Sequence, residues 1–294
     1  GARTELKSNI YIEGPTWIGE DNIFYPYASI GVASQDLKYK GERAETHIGS
    51  RNKIREFVTI HRGTAGGGGL TTIGDRNLFM NYVHVAHDCH VGNQTIFGPH
   101  ATLGGHVTVE DFVNVSAGSA VHQFCRVGKY AFIGGYSVVT KDALPFAKTI
   151  GSRPARIFGV NSIGLVRRGF TPDTIAQLRR AYRYLVQSKL NTTRALDAIE
   201  RDPTLVAPEV KYMVEFIRGA ARGVILRRPT RRGEDATVPD HSRPTHASPH
   251  RRRDPTPSGG DPRRSPCARS NRTPFRARRR RPPGRGRTRV GGAR

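Results

Sequence analysis

The sequence has few cysteines and no long apolar run. Its three cysteines, Cys89, Cys125 and Cys267, stand at unrelated spacings, which predicts neither a disulfide framework nor a zinc cluster. No apolar stretch reaches the roughly 20 residues that a membrane-spanning helix needs, and no signal peptide is found. The sequence therefore predicts a cytoplasmic protein without an integral membrane segment.

Lysine is absent from residues 227–294, although this segment is the most basic part of the chain. It contains 21 arginines and five acidic residues, which accounts for +16 of the formal net charge of +24. Aliphatic residues are too few there to offset the entropy of ordering, so we predict a disordered tail rich in arginine and proline. Such a tail is either an arm for nucleic acid or an anionic membrane, or the product of a shifted reading frame through GC-rich DNA. The composition favours the second interpretation.

A six-residue repeat organises the middle of the chain. The repeated position is apolar, and the next residue is often Gly or Ala. Neither a helix nor a simple strand has this period. It is typical of a parallel β-helix, in which each repeat buries its apolar residue only by stacking on its neighbours, and the aliphatic-then-small pattern is typical of the left-handed class. The repeated positions are Ile73, Phe79, Val85, Val91, Phe97, Leu103, Val109, Val115, Val121, Val127, Ile133 and Val139.

The repeat and its interruptions define the domain organisation. We predict a mainly β fold with a left-handed parallel β-helix over residues 1–144, interrupted by loops at residues 35–42 and 63–70. Because the six-residue step is already present near the first residue, we expect that earlier coils are missing. After Pro145 helical spacing replaces the step, which predicts a small α-helical domain over residues 145–226.

Counting along the repeat locates the candidate chemistry. Three hexads make one coil, so residues 18 apart lie on neighbouring strands, about 4.8 Å apart. His87 then lies below Gly105 and Gln123, and Asp88 lies below His106. A histidine beside a carboxylate can act as a general base, and the Gly105 N–H can stabilise an oxyanion. Because successive strand residues point to opposite faces, a direct contact between His87 and Asp88 requires a corner.

Other histidines surround this pair, but their spacing does not predict a metal site. His61, His84, His106 and His122 also occupy polar positions of the repeat. The spacing of the zinc ligands in γ-class carbonic anhydrases, two histidines five residues apart with a third from a neighbouring coil, is not met. We therefore expect neither a metal nor another cofactor.

Six short segments stand out beside the repeat: QDLKY (35–39), IHRGT (60–64), HVAHDC (84–89), GHV (105–107), AVHQFC (120–125) and RRGF (167–170). Together and in this order they resemble the acyl-carrier-protein–UDP-N-acetylglucosamine O-acyltransferases, the first enzymes of lipid A synthesis. The resemblance extends over roughly residues 10–225, and the arginine-rich tail lies outside it. It implies a cytoplasmic homotrimer with active sites between adjacent β-helices.

The resemblance also implies roles for individual residues. His87 would be the general base, Asp88 would orient it, and Gly105 would hold the oxyanion. Gly135 would lie at the end of the acyl-chain pocket, and Ile163 stands where the family is expected to have Glu. The implied substrate-binding residues are Asp36, Lys38, His61, His84, His106, His122, Gln123, Asn161, Arg167 and Arg168.

The expected reaction is transfer of a 3-hydroxyacyl group from acyl carrier protein to the 3-hydroxyl of UDP-N-acetylglucosamine. The basic face of Arg179, Arg180 and Arg183 would receive the acidic carrier protein. Two alternatives stay open at this point. One is the related N-acyltransferase of the same pathway, and the other is a solenoid that binds nucleic acid through its arginine-rich tail. For the acyltransferase itself no nucleic-acid partner is expected.

Overall fold

The structure is a computed structural model that describes residues 1–226. The predicted disordered tail, residues 227–294, lies outside the described residues.

Twenty-two short strands follow one another along residues 5–160 of the described chain. The first eight are β1 (Glu5–Leu6), β2 (Tyr11–Ile12), β3 (Thr16–Ile18), β4 (Ile23–Phe24), β5 (Ser29–Val32), β6 (Glu45–Ile48), β7 (Lys53–Ile54) and β8 (Thr59–His61). The next seven are β9 (Leu70–Ile73), β10 (Leu78–Phe79), β11 (His84–Val85), β12 (His90–Val91), β13 (Ile96–Phe97), β14 (Thr102–Leu103) and β15 (Thr108–Val109). The last seven are β16 (Asn114–Val115), β17 (Ala120–Val121), β18 (Arg126–Val127), β19 (Phe132–Ile133), β20 (Val138–Val139), β21 (Ala147–Ile150) and β22 (Arg156–Val160).

These strands form three parallel sheets that the chain visits in turn. Sheet A runs from β1 through every third strand to β19, sheet B from β2 to β20, and sheet C from β3 to β18. Residues 18 apart are paired, as His84 with Thr102 and Val91 with Val109. This is the left-handed parallel β-helix expected from the repeat, and the prediction of the fold class is confirmed.

The interior holds the repeated apolar residues in stacked columns. Val85, Leu103 and Val121 pair in register on sheet B and are almost completely buried, so each coil covers the apolar residue of the next. No single hexad could exclude water from its apolar side chain, so burial depends on the neighbouring coils. The predicted stacking is therefore the core of the β-helix.

From β10 to β20, each turn between sheets places a residue in the left-handed backbone region. These residues recur with the same period of six, and Asp88, His106 and Phe124 are three of them, with φ of 56°, 61° and 63°. A positive φ bends the chain from one sheet toward the next. Side chains at such a turn therefore do not alternate between two faces as they do in a strand. We name these turns by the sheets that they join. Residues 86–89, 104–107 and 122–125 form the BC corner.

The two long insertions both leave the β-helix at the BC corner. Residues 33–44 join β5 of sheet B to β6 of sheet C, and residues 62–69 join β8 of sheet B to β9 of sheet C. The second insertion contains a short 3₁₀ turn at Ala65–Gly67. Both loops therefore emerge on the edge of the β-helix that carries His87.

The end of the β-helix differs from the expectation. We expected helical structure from residue 145, but Ala147–Ile150 pairs parallel with β19, and Arg156–Val160 then folds back antiparallel to it. The physical reason is that β19 is the last strand of sheet A on the regular spacing, and β21 satisfies its open hydrogen-bonding edge. Helices begin only after β22. The division into domains at residues 144 and 145 stays a prediction.

Four helices follow, α1 (Ser162–Arg167), α2 (Pro172–Gln187), α3 (Thr192–Arg201) and α4 (Pro208–Arg218). The predicted start of α2 is confirmed, because the Thr171 side chain accepts the Thr174 N–H and Pro172 is the first helical residue. The apolar faces of these helices pack into a second core with Leu144 and Ile157. Among the described residues, no helix has the length and apolar character to cross a bilayer.

The stacked core predicts a large cost for truncation at one coil. Leu103 is completely buried between the pairing strands, whereas Val206 in the helical region is 76% exposed. We expect Leu103→Ala to lower the free energy of unfolding by about 2–5 kcal/mol, because the neighbouring coils cannot collapse into the cavity. We expect Val206→Ala to change it by less than about 0.5 kcal/mol. Urea denaturation of both variants is the measurement, and equal changes would contradict a rigidly stacked core.

Candidate active site

The BC corner brings His87 and Asp88 into direct contact. His87 Nδ1 and Asp88 Oδ2 are 2.8 Å apart, and the Asp88 side chain is only 1% exposed. The contact between adjacent residues is possible because Asp88 occupies the left-handed position of the turn. The corner that the pairing requires is therefore present.

The environment of Asp88 fixes the proton on His87. The Thr64 N–H donates to Asp88 Oδ1 at 2.9 Å and the Thr64 hydroxyl donates to Oδ2 at 2.6 Å, so the carboxylate acts as an acceptor throughout. His87 Nδ1 must then be the donor in its own contact with Asp88, which leaves Nε2 as the lone-pair nitrogen. That Nε2 lies 4.0 Å from Asp36 Oδ2, on the open side of the corner.

Gly105 lies directly over the His87 ring. A Cβ atom on Gly105 would approach His87 Cε1 to 2.5 Å and Nε2 to 2.6 Å, so the imidazole leaves no room for a side chain. The backbone confirms the stacking, because the His106 N–H donates to the His87 carbonyl at 3.0 Å. Within residues 1–226, no acceptor takes the Gly105 N–H, which is therefore available to a bound group.

Three further predicted histidines surround the pair, and burial keeps them neutral. Burial, with smaller contributions from His84 and His87, lowers the pKa of His61 to about 4. Burial likewise lowers the pKa of His84, whose Nδ1 lies 2.7 Å from the Thr59 hydroxyl. Burial also lowers the pKa of His106, whose ring stands perpendicular to that of His87 with the centroids 5.0 Å apart. Near neutral pH these rings offer hydrogen bonds and no positive charge.

A cavity of about 400 Å³ opens at this corner. Its walls come from the first insertion and from successive coils, so six of the predicted site residues meet in it. His122 is exposed and does not line this cavity, and its Nδ1 lies 3.2 Å from the Gln123 carbonyl. The lining residues are Gln35, Asp36, Leu37, Lys38, His61, His84, Ala86, His87 and Gln123.

The described residues contain one group of side chains that could hold a metal ion. It consists of His87, Asp88 and His106, whose donor atoms lie within 4.8 Å of one another. Asp88 Oδ2 already accepts hydrogen bonds from His87 and Thr64, so an ion would have to replace both. The arrangement serves a hydrogen-bonded pair better than a metal, and the absence of a metal stays our prediction.

Asn161, Arg167 and Arg168 line a second cavity, of about 470 Å³, on sheet A. The Asn161 side chain accepts the Gly164 N–H at the start of α1 and donates to the Tyr130 carbonyl at 3.1 Å. These two contacts hold α1 against the β-helix. Arg168 donates to Gln94 at 3.2 Å. Ile163 also lines this cavity and is 68% exposed. Within one chain this group shares no lining residue with the cavity beside His87.

Gly135 lies at a third position, the turn from sheet A to sheet B. It is exposed, and a Cβ atom there would meet only the Ala117 carbonyl, at 3.5 Å. A single chain therefore distributes the predicted site over three edges of the β-helix.

Thr64, which makes two hydrogen bonds to Asp88, was not predicted from the sequence. Two signals could have found it. Thr64 belongs to the IHRGT segment, and counting from β8 to β9 places its loop at the same corner as His87.

The chain resembles known proteins over most of the described residues. The family described as UDP-N-acetylglucosamine O-acyltransferase, domain 2, matches residues 142–225, and the bacterial transferase hexapeptide family (six repeats) matches residues 70–105. A solved UDP-N-acetylglucosamine acyltransferase from Bacteroides fragilis is 43% identical over 76% of this chain and 87% of that chain, with a TM-score of 0.74. The chain belongs to the UDP-N-acetylglucosamine acyltransferase family.

Two other solved acyltransferases of this family are also similar to the chain in sequence and in fold. The protein from Francisella novicida is 37% identical over 77% of this chain and 82% of that chain, with a TM-score of 0.72. The protein from Arabidopsis is 36% identical over 76% of this chain and 88% of that chain, with a TM-score of 0.70. The family and the enzyme class predicted from the short motifs, an O-acyltransferase, are confirmed.

The low pKa of His61 in this acyltransferase predicts acid sensitivity. The pKa of His61 is about 6.5 in the unfolded chain and about 4 in the folded protein. Between these two pH values the unfolded chain binds a proton at His61 and the folded protein does not. Stability is therefore lost as the pH falls through this window. We expect His61→Gln to reduce the loss between about pH 7 and pH 4 by on the order of 3 kcal/mol, measured by urea denaturation. An unchanged loss in the variant would contradict a neutral, buried His61.

Proposed function

We propose that this chain transfers a 3-hydroxyacyl group from acyl carrier protein to the 3-hydroxyl of UDP-N-acetylglucosamine, with His87 as the general base. The transfer of an acyl group to this nucleotide sugar in lipid A biosynthesis follows from the family. The hydrogen bond of 2.8 Å between His87 and a buried carboxylate is the observation that carries the mechanism.

The bonds change in two steps. His87 Nε2 takes the proton of the sugar 3-hydroxyl while that oxygen attacks the thioester carbonyl, and Asp88 stabilises the imidazolium that forms. The carbonyl oxygen becomes an oxyanion that accepts the Gly105 N–H. The tetrahedral intermediate then expels the carrier thiolate, which takes the proton back from His87. The ester and the free thiol are the products, and no covalent enzyme intermediate is needed.

The neutral histidines suit the sugar of an acceptor substrate whose negative charge lies on its diphosphate. His61 and His84 stay uncharged near neutral pH because they are buried, so they can bind sugar hydroxyls through neutral hydrogen bonds. The positive charge for the diphosphate comes from Lys38 at the mouth of the cavity, together with Arg167 and Arg168 in the second cavity.

The separation of these groups supports a site made by two chains. His87 and Lys38 line one cavity, whereas Arg167 and Arg168 line another with no residue in common. A second copy that presents its sheet A cavity to the BC corner of the first would bring both sets to one nucleotide sugar. We therefore propose a homotrimer, in which three such interfaces close a ring.

The helical region offers a basic surface for the donor. Arg179, Arg180 and Arg183 line a cleft of about 420 Å³. Their positive charges would attract an acidic carrier protein and orient it on the enzyme. With this donor, we propose that the enzyme acts in the cytoplasm. Gly135, which has open space at its Cα, would admit a longer acyl chain than a bulkier residue would.

Removal of the base tests the mechanism. We expect His87→Ala to lower kcat by at least about 100-fold, because the variant lacks the imidazole nitrogen that takes the hydroxyl proton. The matched control is His90→Ala, which removes an exposed histidine three residues later and should keep the wild-type rate. The measurement is acyl transfer from 3-hydroxyacyl carrier protein, with the mass of the oligomer checked by light scattering. Wild-type activity in His87→Ala would contradict the assignment.

Mixed oligomers test whether two chains form one site. His87→Ala and Arg168→Ala disable opposite sides of the proposed interface, so co-expression of the two should restore about one quarter of the wild-type sites by random assembly. Co-expression of His87→Ala with Asp88→Ala is the matched control, since both changes lie on one corner and no intact site can form. Absence of recovery in the first pair, in oligomers shown to contain both chains, would contradict the proposal.

A further inference from the structure

The loop at residues 62–69 covers Asp88 from outside the β-helix. It leaves sheet B after β8 and returns at β9, one coil below the His87 turn. Its residue Thr64 is 6% exposed and Asp88 itself is 1% exposed, so solvent reaches neither. The loop is therefore the wall against which the carboxylate rests.

Four contacts hold Asp88 in one orientation. The Thr64 N–H donates to Oδ1 at 2.9 Å, and the Thr64 hydroxyl donates to Oδ2 at 2.6 Å. His87 Nδ1 donates to the same Oδ2 at 2.8 Å. The Asp88 N–H in turn donates to the Thr71 hydroxyl at 2.8 Å. The two oxygens are thus distinguished, because one faces the loop backbone and the other joins Thr64 to His87.

Glycines in the loop make this close approach possible. A Cβ atom on Gly67 would lie 2.1 Å from Asp88 Cγ, and one on Gly63 would lie 2.7 Å from Asp88 Oδ1. The backbone therefore packs directly on the carboxylate. Gly66, the residue before Gly67, has no atom within 4 Å of the equivalent position. At Gly63 and Gly67, unlike at Gly66, a side chain would collide with Asp88.

The loop is itself shaped around Thr64. The Thr64 carbonyl accepts the Gly67 N–H at 3.0 Å and the Gly69 N–H at 2.8 Å, and Thr64 is the N-cap of the 3₁₀ turn. The turn therefore presents the Thr64 N–H and hydroxyl inwards, toward Asp88. Its own side-chain oxygen makes no capping bond in the turn and is used on the carboxylate instead.

We propose that Thr64 is a positioning residue for the reaction and that Gly63, Thr64 and Gly67 form a clamp that orients Asp88 toward His87 Nδ1. This inference rests on the function proposed above. The Thr64 hydroxyl shares Oδ2 with His87, so it disperses the charge on that oxygen and prevents rotation of the carboxylate. The result is one imidazole tautomer, with Nε2 free for the sugar hydroxyl.

Substitutions at Thr64 separate this role from a merely structural one. We expect Thr64→Val, which keeps the shape and removes the hydroxyl, to lower kcat about 10- to 100-fold with little change in KM for the nucleotide sugar. Thr64→Ser keeps the hydroxyl and should restore most of the rate. The control is Thr72→Val, whose hydroxyl contacts exposed His90 rather than Asp88.

The pH profile of kcat/KM gives a second readout. Without the Thr64 hydroxyl, Asp88 Oδ2 loses a hydrogen-bond donor, so its negative charge stabilises the His87 imidazolium more strongly. We therefore expect the acidic limb of the profile to move to higher pH in Thr64→Val. It should stay in place in Thr64→Ser. The titratable groups that face His87 are Asp36, Asp88, His61, His84 and His106.

Two alanine variants of neighbouring glycines test the clamp without touching a hydrogen-bonding side chain. Gly67→Ala forces a methyl group onto the Asp88 carboxylate, whereas Gly66→Ala points into open space. Neither glycine has a positive φ, so neither substitution requires a strained backbone. We expect at least about a 10-fold loss of kcat in Gly67→Ala and wild-type kinetics in Gly66→Ala, with both proteins unfolding at similar urea concentrations.

The two sets of variants test the clamp and the general base separately. Full activity of His87→Ala would remove the general base and with it the parent proposal. If His87→Ala is inactive while Thr64→Val keeps the wild-type kcat and pH profile, the general base stands and the clamp is wrong. A loss in Thr64→Val that Thr64→Ser does not restore would also overturn the clamp, since the hydroxyl would then not be the group that matters.

Discussion

The left-handed backbone position at each turn is the constraint on which the rest of the structure depends. A β-helix of 18-residue coils must change direction three times per coil, and from β10 to β20 each change uses a residue with positive φ. That backbone places neighbouring side chains on the same side of the chain instead of on opposite faces. At residues 86–89 it brings a histidine and a buried carboxylate together, so the geometry that closes the solenoid also creates the catalytic pair.

The position of the loops follows from the same constraint. Insertions cannot leave from a strand without breaking the parallel ladder, so they leave from turns. Both insertions use the BC corner, where one supplies Asp36 to the open side of His87 and the other supplies Thr64 to the covered side of Asp88. The rigid coils fix the pair and the loops complete it, which divides stability and chemistry between different parts of the sequence.

The sequence predicted the parts of this arrangement that depend on regular spacing. The six-residue period identified the fold, and the step of 18 placed Gly105 over His87 and His106 over Asp88. Contact between His87 and Asp88 could not be derived, because strand alternation argued against it and only the positive φ of Asp88 allows it. The strands at residues 147–160 were missed because they leave the period. Thr64 was missed because a loop has no period from which its contacts can be counted.

Asp88 and its surroundings hold His87 with the proton on Nδ1 and a free Nε2. This arrangement is tested by the tautomer of His87 in the intact oligomer, read from long-range proton–nitrogen NMR correlations of the imidazole, with His87→Gln used for assignment. We predict a protonated Nδ1 and an unprotonated Nε2 at slightly alkaline pH. A proton on Nε2 would contradict it, because that nitrogen could then not accept the proton of the sugar hydroxyl.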